Sequence, residues 1–131
     1  MGIVAGLDSA PDFTRIVVCD ADTGVVLRQG YAPHPVESPD GHRPSDVDPQ
    51  AWLLSLGEAA GGGLLEGVQA IGVSAQQNAL VPLDSQGNTV RPAMVGGDKR
   101  AQVAAADLVD ALGGREAWAQ AVGSEPWSGS V

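Results

Sequence analysis

The stretch "DSAPDFTR", Asp8 to Arg15, follows the apolar run "GIVAGL" and precedes another, "IVVCD". An acidic residue that ends one short strand, followed by a tight turn into a second, is a place where ATP-using proteins receive phosphate groups, because turn N–H groups can surround an anion. This turn has no glycine. Pro11 removes one N–H donor and Phe13 adds a bulky ring, so weak purchase on a phosphate is expected. A second group of polar residues stands in "SAQQNA" and "GGDKR". Gln77, Asn78 and Asp98 are planar amides and a carboxylate, groups that donate and accept hydrogen bonds in fixed directions. The run Gln76 to Asn78 reads equally well as a strand end with solvated amides.

Other chemistries find little support. The two histidines, His34 and His42, lie in one Pro-rich stretch at no ligand spacing to each other or to a cysteine. Cys19, the single cysteine, sits in an apolar run and reads as a buried small hydrophobe. With no disulfide possible within the chain, a cytoplasmic location is expected. Neither GxxxxGK[ST] nor GxGxxG occurs, and "GEAAGGG" falls at the C-terminal end of an expected helix, the wrong end for phosphate. A formal net charge of −9 argues against capture of nucleic acid or of an anionic membrane surface. If ATP binds, a local cluster of N–H groups, Arg or Mg²⁺ must overcome that field. No apolar run approaches the roughly 20 residues that span a bilayer, and no secretory leader pattern is present.

The elements that must position these residues follow from pattern. At 131 residues, 44% of them hydrophobic and 18% charged, the chain suits one α/β domain with a modest core. "GIVAGLD", "TRIVVCDADTG" and "GVVLRQGYAPHP" predict an N-terminal β-meander, with Gly24 free to take positive φ at the second turn. Pro33 to Pro49 reads as a long loop. Asp48 can cap a helix that opens on Pro49 and presents Trp52, Leu53, Leu56 and Ala59 or Ala60 on one face, until Gly61 to Gly63 end it. The strand "GVQAIGVSAQ", reached through that helix, is expected to lie parallel to an earlier strand. A hairpin with Asp84 to Asn88 at its tip comes next, then a helix closed by Gly113 and Gly114, then a short helix in "REAWAQAVGSE". The final "EPWSGSV" carries no signal that closes a domain.

This order of elements resembles the N-terminal part of the FGGY family of carbohydrate kinases, the xylulokinase branch above all. Matching residues are Asp8, Arg15, the Asp46-x-Asp48-Pro49 helix start with Trp52, Gln76-Gln77-Asn78, Asp84, Arg91-Pro92, Asp98 and Arg100. The resemblance implies an actin-like ATPase (ribonuclease H-like) fold, of which residues 1–131 would be the first part of the first domain, with the second domain absent. It implies ATP and Mg²⁺ as cofactors and a ketopentose or polyol as substrate. By the same resemblance, Asp8 would hold Mg²⁺, Thr14 and Arg15 would attend the phosphates, and Gln76, Gln77, Asn78, Asp98 and Arg100 would face the sugar. The proton-accepting carboxylate of the family would lie beyond residue 131. Weak or no catalysis by the chain alone is therefore expected, either because it is one segment of a larger kinase or because it is a non-catalytic module that pairs through an open sheet edge, as a homo-oligomer or with a missing C-terminal half. Departures gather at functional positions: Asn78 stands for His, Gly96 and Gly97 for Trp and Asn, and Ala75 and Ala79 for glycines.

Overall fold

The computed structural model describes residues 2–35, 46–95, 100–125 and 127. Strand β1 (Ile3–Ser9) pairs antiparallel with strand β2 (Phe13–Asp20), Ile3 opposite Asp20 and Ser9 opposite Thr14. Strand β3 (Val26–Pro33) completes the expected meander on the far side of β2. Asp20 shapes the turn between β2 and β3. Its Oδ1 accepts hydrogen bonds from Asp22 N, Thr23 N and Thr23 Oγ1 at 3.0, 2.8 and 2.9 Å, and Gly24 takes φ +72°, a conformation that costs glycine nothing.

Side chains alternate along β2, so Thr14, Ile16, Val18 and Asp20 turn to one face while Arg15, Val17 and Cys19 turn to the other. The first face is covered by helix α1 (Pro49–Ala59), which Asp48 caps by accepting from Gln50 N at 2.9 Å. The core there joins Ala5, Ile16, Val18, Ala32, Ala59 and Leu64. Small residues make this contact close. A Cβ at Gly30 would collide with the carbonyl oxygen of Ala59, and the buried Ser55 hydroxyl donates to the Pro33 carbonyl at 3.0 Å. Consequently the covered face of α1 is Ser55 and Ala59 with half-buried Trp52 and Leu56, and Leu53, expected on it, is turned out to solvent. Cys19 is likewise half-buried instead of buried, because strand alternation sends it to the face opposite Val18.

Beyond α1 the chain tightens through hydrogen-bonded turns, Arg28 reaching the Glu66 carbonyl at 2.7 Å. It then enters strand β5 (Ala70–Ala75), which lies parallel to β1 as expected, giving the order β3-β2-β1-β5. All six β5 residues are exposed. The end of the predicted long loop is not loop: Asp46 and Val47 form strand β4, paired antiparallel with strand β6 (Ala93–Met94). Residues 36–45, His42 among them, lie outside the description. The hairpin of residues 80–94 closes through two bridges, Leu80 with Met94 and Leu83 with Thr89. Helices α2 (Ala101–Ala111) and α3 (Arg115–Val122) follow, linked by the Trp118 indole N–H, which donates to the Leu108 carbonyl at 3.1 Å. Among the described residues no helix is long and apolar enough to cross a membrane.

Candidate functional site

Two parallel strands, β1 and β5, end side by side, Ser9 beside Ala75. In open α/β sheets the carboxyl ends of parallel strands are where ligands bind, because loops and orphan backbone groups converge there. Asp8 is one residue short of that end. It stands opposite Arg15 on β2 and beside Ser74 on β5, on the sheet face away from α1. One step along the same face, Gly6 lies beside Gly72, and neither would meet an atom within 4 Å if it carried a Cβ. The bare backbone there floors an open cavity of about 560 Å³, lined by Gly6, Asp8, Arg15, Val17, Gly72 and Ser74 among others. The Arg15 guanidinium extends toward β3, donating to Gln29 Oε1 at 3.2 Å.

Gln76, Gln77 and Asn78 form the turn that leaves β5. Gln76 is half-buried, and Gln77 and Asn78 are exposed. Asn78 has φ +59°, the one described non-glycine residue with positive φ. Asparagine tolerates this region better than most side chains, and the turn redirects the chain from β5 to the Leu80 bridge. The structure thus brings Asp8, Arg15 and the Gln76–Asn78 turn to one end of the sheet. Asp98 lies outside the described residues.

Thr14 does not join them. It is one residue out of phase with Arg15, 1% exposed on the α1 side, and its hydroxyl lies 2.8 Å from Nε2 of His34. His34 also braces the first hairpin turn, its backbone N–H donating to the Asp12 carbonyl at 2.7 Å and its Nδ1 lying 3.4 Å from the Pro11 carbonyl. One tautomer serves both ring contacts, with Nδ1–H toward Pro11 and Nε2 accepting from Thr14. The Phe13 ring rests against Tyr31 of β3, centroids 5.5 Å apart, so its bulk is carried along the sheet. In the sequence alone His34 belongs to the Pro-rich loop, at no ligand spacing to His42 or Cys19. Its partners are 20 and 23 positions away, beyond any local pattern.

Arg100 is also engaged elsewhere. Its Nη2 and Nη1 reach Oδ1 and Oδ2 of Asp46 at 2.8 and 3.2 Å, and Arg91 Nη2 lies 3.4 Å from the same Oδ1. Among the described residues no group of three or more His, Cys, Asp or Glu side chains could hold a metal ion. A magnesium ion that arrives with nucleotide phosphates and keeps most of its waters needs only one or two protein carboxylates, and an exposed Asp8 suits that requirement.

The model for the N-terminal domain of the FGGY family of carbohydrate kinases matches residues 3–129. A xylulose kinase of Streptomyces coelicolor is 41% identical over 126 residues, which cover 95% of this chain and 26% of that protein. A xylulose kinase sequence of an Arthrobacter species is 44% identical over 101 residues, covering 76% of this chain and 98% of that sequence. Among solved structures, the xylulose kinase of Bifidobacterium adolescentis superposes with a TM-score of 0.87 at 35% identity, over 98% of this chain and 27% of that one. The glycerol kinase of Plasmodium falciparum, solved with ADP, shares the fold at a TM-score of 0.77 and 15% identity, over 99% of this chain and 27% of that one. This chain spans about a quarter of the length of the Streptomyces and Bifidobacterium enzymes.

Proposed function

The chain belongs to the FGGY family of carbohydrate kinases, and from that premise we propose that residues 1–131 are the first part of the first domain of an actin-like, ATP-dependent sugar kinase. Its substrate is D-xylulose or a related ketose or polyol. The observation that carries this reading is the meeting of Asp8 with the Gln76–Asn78 turn at the carboxyl ends of two neighbouring parallel strands.

Phosphoryl transfer asks the protein mainly to position groups and to balance charge. Asp8 would hold the hydrated Mg²⁺ that accompanies ATP, which would supply charge neutralisation on the phosphates. Arg15, opposite Asp8, adds a positive charge on that face in a chain that is otherwise acidic. The amides of Gln76, Gln77 and Asn78 would orient sugar hydroxyls, each offering a donor and an acceptor; Asp98, for which the resemblance implies a sugar contact, lies outside the described residues. Thr14 supports the site from below through His34 without touching a ligand. By the family resemblance, the carboxylate that accepts the hydroxyl proton would come from outside residues 1–131.

A second reading, an interaction module without catalysis, has one observation in its favour. Among the described residues, strand β5 is an edge strand that exposes Ile71 and Val73 without a charge in the strand, the kind of edge that accepts a further strand. Measuring ADP release with ATP, Mg²⁺ and D-xylulose separates the readings. The natural gene product is expected to show sugar-dependent turnover and the 131-residue chain none. Sugar-dependent turnover by the chain alone overturns the assignment of the base, and no turnover by the natural product favours the module.

A further inference from the structure

Asp46 has no chemical role in the reading above, yet its carboxylate is shared by two arginines from distant parts of the chain. Arg100 approaches with both terminal nitrogens, one on each carboxylate oxygen, the fork geometry that gives directional pairing. Arg91, which precedes β6 in the chain where Arg100 follows it, comes to Oδ1. The backbone repeats the connection. Asp46 is paired with Met94, and Met94 exchanges two hydrogen bonds with Leu80, at 2.9 and 3.2 Å. Asp46, Met94 and Leu80 thus form a transverse row, and Leu80 is two residues past Asn78 with its positive φ. Two residues after Asp46, Asp48 caps α1, which is packed on the core.

We propose that Asp46 is a positioning residue for the sugar side of the site: through Arg91, Arg100 and the Met94–Leu80 bridge it fixes the Gln76–Asn78 turn and the start of α2 relative to the α1 core. Arg100, which the family resemblance points toward the sugar, acts by this route through Asp46. The ion pairs are about half-exposed, and exposed pairs contribute little net stability. What they supply is register, because the hairpin has only two bridges of its own. The sugar part of this inference rests on the function proposed above.

The test uses Asp46→Asn and Asp46→Glu in the whole chain, with two readouts. Hydrogen exchange is followed at the Leu80 and Met94 amides and, for reference, at the β1 and β2 amides. Asp46→Asn is expected to speed exchange at Leu80 and Met94 about tenfold while leaving β1 and β2 unchanged, and Asp46→Glu to restore most of the protection. Unchanged exchange at Leu80 and Met94 overturns the proposal. Calorimetric titration with D-xylulose is the second readout, with about tenfold weaker binding expected for Asp46→Asn. Equal affinity in the two proteins overturns the positioning role. Loss of protection without any sugar binding by the unsubstituted chain supports the anchoring and counts against the sugar-kinase reading alone.

Discussion

The chain contains two regions built from similar residues but held in different ways. From Ile3 to Ala75, strands β1, β2 and β3 and helix α1 share a core in which Ile16 and Val18 are fully buried and Ala5, Ala32 and Ala59 nearly so, while β5 joins them by pairing with β1. From Gln76 onward, the described residues bury only Ala93 and Ala105, and helix α3 buries none. Yet Val103, Leu108, Leu112 and Val122 are as apolar as anything in the first region, and all four are exposed. Hydrophobic residues stabilise only where a second surface excludes water from them. The first region supplies that surface through the α1 crossover, whereas α2 and α3 present theirs outward. The difference teaches that the candidate strand-end site has one half, Asp8 and Arg15, on strands that contribute to the core, and one half, the Gln76–Asn78 turn, for which the Asp46 relay is proposed as the anchor.

Substitutions across the two regions test this contrast. The largest effect is expected from Ile16→Ala, where a fully buried side chain on the central β2 is lost; urea denaturation should show a loss of about 3 to 4 kcal/mol, and a loss below about 1 kcal/mol would dissolve the distinction between core and periphery. Gly30→Ala comes next. Its new methyl group meets the Ala59 carbonyl and lies 2.7 Å from Leu64 Cδ2, so α1 must lift from β3, at a cost of about 2 to 3 kcal/mol; retention of the original denaturation midpoint would show that the helix does not pack as closely as described.

The two aspartate-capped turns sharpen the comparison by pH. Hydrogen bonds from Thr23, with a smaller one from Asp22, lower the pKa of Asp20, and those from Asn88, with smaller ones from Gln86 and Gly87, lower that of Asp84. A carboxylate favoured in this way stabilises the fold above its unfolded pKa of about 3.9, and that contribution fades as pH falls through the lowered folded value. Asp20→Asn should therefore flatten the acid limb of global stability, since its turn joins two core strands. Asp84→Asn should leave the global acid limb unchanged and alter only exchange at the Gln86 and Asn88 amides. Equal effects of the two substitutions on global acid unfolding would mean that the regions unfold as one. The smallest effect belongs to Val103→Ala on exposed α2, expected within about 0.5 kcal/mol; a loss of several times that would reveal a packed partner for this helix.

Much of this was legible in the residues themselves. The alternation of "TRIVVCD" predicts a two-faced strand, Asp48 and Pro49 predict the start of α1, Gly24 predicts its own positive φ, and the crossover predicts a parallel β5. Each rests on chemistry within a few residues, where periodicity and backbone sterics act directly. The placement of Asp8 at a strand end and of Gln76 to Asn78 just past another was readable for the same reason. Strand alternation also dictates what neighbours do: Thr14 and Arg15 face opposite ways, and Cys19 leaves the core once Val18 enters it.

Tertiary structure alone decided the rest. Leu53 lost its place on the buried face of α1 because Gly30, Ala32 and Ala59 bring the helix so close to β3 that Ser55 becomes the contact. His34 became the brace of the first turn, and Asp46 the shared partner of Arg91 and Arg100, through contacts spanning 20 to 54 positions. The sequence by itself determined which segments become strands and helices and which residues end them, since those are local free energies. Which side chains meet depends on how the elements pack, and that is set only when sheet order, strand register and helix approach are fixed together.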